Sequence, residues 1–152
     1  MNRLAAAALA ALVPATGNAQ MISECSWVTS ARNIVEPWEE NTRTFAKGAI
    51  RVTRLDTGGE PACCSQYLML TMPHPEGGQA CYMISGGSSE LGFLDILFGQ
   101  MTSAYDPAEG LSITVPVVSM APDGAAEDPL EIRLVANQAQ GGLDIGIVGE
   151  VE

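Results

Sequence analysis

Leu130-Glu131-Ile132-Arg133-Leu134-Val135-Ala136-Asn137 decides the fold class. Leu130, Ile132, Leu134 and Ala136 fall on one face of an extended chain, and Glu131, Arg133, Val135 and Asn137 on the other. After a polar turn, Leu143, Ile145, Ile147 and Val151 alternate in the same way with Asp144, Gly146, Val148 and Glu150. A period of two across both segments predicts a terminal hairpin with one face in the core and one in water.

Working toward the N-terminus, strand signals continue. Thr102–Tyr105 and Leu111–Val118 flank Asp106-Pro107-Ala108-Glu109-Gly110, a Pro-then-Gly turn that predicts a second hairpin. Pro116 has no N–H to donate, which places its strand at an edge there. Residues 119–129 read as an acidic loop. Gln66–Met72 is apolar on both faces and is expected to be the central, most buried strand, with Ala80–Ser85 returning beside it after a turn at 73–78. Thr42–Phe45 and Ala49–Leu55 are rich in β-branched residues, and Ala46-Lys47-Gly48 joins them, with Gly48 supplying positive φ. Arg54 interrupts the alternation of the second, which predicts a bulge or strand end. Leu91–Met101 fits both periodicities and is read as a short helical turn running into a strand. Residues 20–41 are irregular, with Trp27 and Trp38 expected to anchor them by burial and one short helix expected over Ala31–Val35. The whole reads as all-β: an antiparallel sandwich or small barrel of about eight strands, one domain spanning 20–152.

The first 19 residues have the three parts of a secretory signal: Arg3, an apolar run over Leu4–Val13, and small residues at Gly17 and Ala19. That run is half the roughly 20 residues a membrane-spanning helix needs. Glu24 before Cys25 does not suit lipid attachment. Cleavage is expected after Ala19, giving a periplasmic or secreted protein. It removes one basic residue and no acid, taking the net charge at pH 7 from −11 to −12. Such a chain repels phosphate backbones, which argues against nucleic-acid partners.

Export places the four cysteines, Cys25, Cys63, Cys64 and Cys81, in an oxidising compartment where pairing is the default. Three connectivities exist. We expect Cys25–Cys81, with Cys63 and Cys64 either joined to each other or free; the alternative joins one neighbour to Cys25 and the other to Cys81.

Chemistry-bearing patterns are sparse. His74 is the only histidine, held between Pro73 and Pro75, and no G-x-S-x-G elbow exists; Gly87-Ser88-Ser89-Glu90 lacks the second glycine. Met69, Met72, His74, Cys81 and Met83 share one expected hairpin and have the donor types for copper, but Met69 and Met72 are three apart and so face opposite sides of a strand. Asp123, Glu127 and Asp128 lack the ligand order of a calcium loop, and Gly141-Gly142-Leu143-Asp144 departs from the calcium nonapeptide at Leu143. Glu39-Glu40 beside Trp38 is the one acid pair next to a ring suited to sugar stacking. No cofactor, catalytic residue or metal ligand is assigned.

Cys25-x-Trp27, Pro37-Trp38, Arg43-Thr44-Phe45-Ala46, Leu55-Asp56-Thr57, Tyr105-Asp106-Pro107-Ala108 and Val115-Pro116-Val117 resemble a family of small exported bacterial proteins with no assigned activity. The resemblance implies export and agrees with Cys25–Cys81 pairing; Cys63-Cys64 lies outside its pattern. The functional expectation is a monomeric binding module for a protein partner or envelope component. The alternatives are an inhibitor of a periplasmic hydrolase, or a small hydrolase or copper-binding protein.

Overall fold

Gln66–Pro73 runs through the middle of a five-stranded antiparallel sheet in the computed structural model, which describes residues 21–59, 63–87, 91–121 and 123–150. The expected signal at 1–19, its cleavage point and Val151 lie outside these residues. In chain order the first sheet comprises β1 (Ile22–Glu24), β2 (Thr42–Phe45), β3 (Ile50–Asp56), β4 (Gln66–Pro73) and β5 (Gln79–Ile84), arranged β1-β5-β4-β3-β2. The second comprises β6 (Asp95–Ile96), β7 (Thr102–Asp106), β8 (Gly110–Val118), β9 (Leu130–Asn137) and β10 (Gly142–Glu150), arranged β10-β9-β8, with β6 and β7 sharing the far side of β8. The fold is all-β and sandwich-like, with ten strands among the described residues.

Both periodicities of the strands have a physical destination. Ile50, Val52, Leu68, Leu70, Met72 and Ile84 from the first sheet meet Ile113, Val115, Val117, Ile132, Leu134 and Ala136 from the second in one core. Each fully buried Val, Leu, Ile or Met among them contributes about 1.5–3 kcal/mol. The opposite face of the first sheet is buried too. Leu55, Tyr67 and Met83 pack there under Val28, with Ile34 and Met69 against them, because the chain between Cys25 and Asn41 lies across that face. Central strand β4 is apolar on both faces for this reason.

The overlay is fixed by backbone and amide hydrogen bonds. Cys25 N–H donates to Cys81 O, and Val35 N–H and Asn41 O both engage Arg54. Buried Asn33 donates through Nδ2 to Val28 O at 2.8 Å. The tryptophans do not anchor it: Trp27 and Trp38 are 58% and 60% exposed, and small Val28 takes the buried position. The helix expected over Ala31–Val35 is a single 3-10 turn, Ala31–Asn33, whose preceding Ser30 makes no side-chain cap.

Arg54 produces no bulge, since β3 pairs with β4 without a register shift from Arg51 to Asp56. It shares the inward face with Ile50 and Val52, but lies at the rim of the sandwich. There its guanidinium donates to Gln66 Oε1 (3.0 and 2.7 Å) and to Asp95 Oδ1 (3.0 Å), joining the two sheets. Pro116 is also not at an edge. Its strand lies between β9 and the β6/β7 side, and Pro116 O accepts from Leu97 N–H at 3.0 Å. The proline nitrogen points the same way, toward the interval between β6 and β7 occupied by the 3-10 turn Phe98–Gln100, where no ladder bond is required. The turn between β2 and β3 places Ala46 and Lys47, as well as Gly48, at positive φ. At the far edge, Ile147 is 49% exposed and not buried as the alternation implies; β10 is an edge strand whose register shifts between Ile147 and Gly149.

Candidate functional site

The turns at one end of the sandwich enclose a cleft of about 630 Å³. Its floor is Leu111 and Ala136, paired across β8 and β9. Tyr105, Pro107 and Ala108 of the β7–β8 hairpin form one wall, and Asn137, Gln138 and Gln140 of the β9–β10 turn the other. Ala46 closes the side nearest β2. The volume lies within the range usual for small-ligand sites.

Local sequence accounts for each wall. Asp106 Oδ1 accepts from Ala108 N–H at 2.7 Å, an Asx turn that sets Pro107 and Ala108. Gly110 then adopts φ +109, and a Cβ there would lie 2.6 Å from Ala136 O, so glycine is required for the hairpin to approach β9. Asn137 Oδ1 accepts from the N–H groups of Ala139 and Gln140, both at 3.1 Å. The turn is thereby fixed, and the Asn137 amide NH2 is the part of that side chain left to meet a ligand. Tyr105 is 73% exposed, the most exposed of the large apolar side chains among the described residues.

The cleft lining holds no Asp, Glu, Lys, Arg or His. In a chain of net charge −11 this is a local exception. What remains is one flat aromatic face, short apolar side chains, and amides that both donate and accept. That combination offers a stacking surface and a hydrogen-bonding rim.

The residues singled out from the sequence lie elsewhere. Cys25 is bonded to Cys81, and Cys63 to Cys64. The first bond fastens the start of the overlay segment to β5. The second sits in the loop just before β4. His74 is exposed in the β4–β5 turn, where its Nδ1 accepts from Glu76 N–H at 3.2 Å. It shares a shallow hollow with Glu24, Tyr82 and the Cys25–Cys81 bond. The methionines of the copper pattern are divided: Met72 lies in the inter-sheet core and Met83, with Met69 against it, in the outer cluster. With Cys81 oxidised, that donor set does not assemble. Asp123, Glu127 and Asp128 line an open hollow, and Asp123 Oδ1 is engaged by Ala125 N–H at 3.0 Å. Among the described residues, no group of three or more His, Cys, Asp and Glu is placed to hold a metal ion, and no helix is long and apolar enough to cross a membrane.

Sequence reasoning missed the cleft. Its signal was the amide run Asn137-Gln138-Ala139-Gln140, which reads as an ordinary polar turn until the fold sets it opposite Tyr105.

No family model, curated protein or solved structure matches the chain.

Proposed function

We propose that the protein is an exported, monomeric binding module, periplasmic or secreted, that holds a neutral saccharide of the cell envelope in the Tyr105 cleft. The observation that carries this reading is a 630 Å³ cleft lined by Tyr105 and the amides of Asn137, Gln138 and Gln140, with no Asp, Glu, Lys, Arg or His, in a strongly acidic chain. A sugar ring would lay its apolar face on Tyr105 and exchange hydrogen bonds with Asn137, Gln138 and Gln140. The two disulfides fit an oxidising compartment, which supports export. A second reading, a protein partner, is favoured by the exposure of Trp27 and Trp38 on the overlay segment, since aromatic residues are enriched at such interfaces.

Calorimetric titration with neutral and acidic oligosaccharides tests the first reading. Neutral oligosaccharides are expected to bind, acidic ones to bind more weakly, and Tyr105→Ala to lose about tenfold in affinity. Absence of binding by any neutral oligosaccharide, or equal binding by Tyr105→Ala, would overturn it.

A further inference from the structure

The loop before β4 brings together three sulfur atoms from two distant parts of the chain. Cys63 and Cys64 are joined as neighbours, and Met120, from the lobe between β8 and β9, places its Sδ 3.3 Å from Cys63 Sγ. The oxidised Cys63 sulfur carries no proton, so this approach is a sulfur–sulfur contact and not a hydrogen bond. Both sides are held by hydrogen bonds. Thr57 N–H donates to Ser65 O at 3.0 Å, and Ser65 Oγ donates to Asp56 Oδ1 at 2.8 Å, closing the loop that carries the cysteines. Glu127 N–H donates to Ser119 O and Ala121 N–H to Ala125 O, closing the lobe that carries Met120. Cys64 is buried at φ +65, a left-handed conformation uncommon outside glycine. Met120 is 38% exposed, and its contact with Cys63 lies at the surface.

We propose that Cys63, Cys64 and Met120 form a soft-metal site for a single Cu(I), closed while the two cysteines are joined and opened by their reduction. A dithiol reductant gives two electrons and two protons: the S–S bond breaks, two S–H groups form, and the dithiol becomes a disulfide. Cu(I) then displaces both protons, forming two thiolate–copper bonds, and Met120 donates a lone pair as the third ligand. Copper stays in the +1 state throughout. Two thiolates and a thioether are the donors that Cu(I) favours over harder cations. Metal–sulfur bonds of about 2.3 Å set sulfur ligands roughly 4 Å apart around a three-coordinate ion. Met120 already approaches Cys63 more closely than that, so small outward motion suffices. This site is independent of the saccharide cleft and uses none of its residues.

The test is anaerobic competition for Cu(I) against a chromogenic chelator, using the full mature protein before and after reduction and removal of the reductant. The Cys63→Ser/Cys64→Ser double variant, reduced in parallel, accounts for any copper taken by Cys25 and Cys81. Reduced wild-type protein is expected to bind one Cu(I) more than the double variant, and oxidised protein to lack that site. Met120→Leu, at an exposed position that leaves the fold intact, is expected to weaken the extra site at least tenfold. Equal copper uptake by reduced wild type and the double variant, or unchanged affinity in Met120→Leu, would overturn the proposal.

Discussion

Replacing Gly92 by alanine should destabilise the protein far more than one methyl group suggests. Gly92 is buried, and a Cβ there would run into the carbonyl oxygens of Cys64 and Gln66 and lie 2.9 Å from Gln66 N. All three are backbone atoms, so no side chain can rotate away. The next residue, Phe93, is fully buried in the inter-sheet core and exchanges backbone hydrogen bonds with Gln66 at 2.7 and 3.3 Å. Moving Gly92 outward weakens both bonds, about 1 kcal/mol each. It also shifts Phe93 within a packed core, at a further cost of about 1–3 kcal/mol. A loss of about 3–5 kcal/mol is expected. Urea unfolding followed by circular dichroism measures it; with a slope of about 2 kcal/mol/M, the midpoint should fall by about 2 M. Gly99→Ala is the control, because nothing lies within 4 Å of a Cβ at that exposed site and its backbone is not left-handed. It should stay within about 0.5 kcal/mol of wild type. A midpoint shift below about 0.5 M for Gly92→Ala would show that the segment is not packed against β4 as described.

Other perturbations separate the parts of the fold. Leu134→Ala removes a fully buried inter-sheet side chain and should cost about 2–5 kcal/mol in the same unfolding assay. Replacing both Cys25 and Cys81 by alanine opens a link across 56 residues of sequence; the chain-entropy relation gives a loss of about 4 kcal/mol, read as a lower urea midpoint. Ile147→Lys changes a half-exposed residue on edge strand β10 and should leave the stability within about 0.5 kcal/mol of wild type while reducing self-association in light scattering at high concentration.

The strands were legible because alternation is imposed by backbone geometry alone. Ile132, Leu134 and Ala136 face inward, as a period of two requires. Both faces of Gln66–Met72 were visibly apolar, yet only the fold shows what covers the second face. Trp27 and Trp38 were misread for that reason. Burial of a large ring depends on which way its segment lies across the sheet, and the overlay presents Val28 inward instead. Arg54 was misread because a charged residue in a core-facing position has two explanations, a bulge or a polar rim, and the partners that select the second, Gln66 and Asp95, are 12 and 41 residues away. Ile147 keeps its period but sits on an edge strand with little opposite it. The cleft was least legible: Tyr105 and Gln138 acquire a joint meaning only when two hairpin turns meet at one end of the sandwich.

Side-chain amide resonances of Asn137, Gln138 and Gln140, followed by NMR during titration with a neutral oligosaccharide, test the binding cleft most directly. Saturable shifts at these three amides and at the Tyr105 ring, with the indole signals of Trp27 and Trp38 unmoved, are the expected result. Shifts centred on the two indoles with the cleft amides silent would place the binding surface on the overlay segment and contradict the assignment.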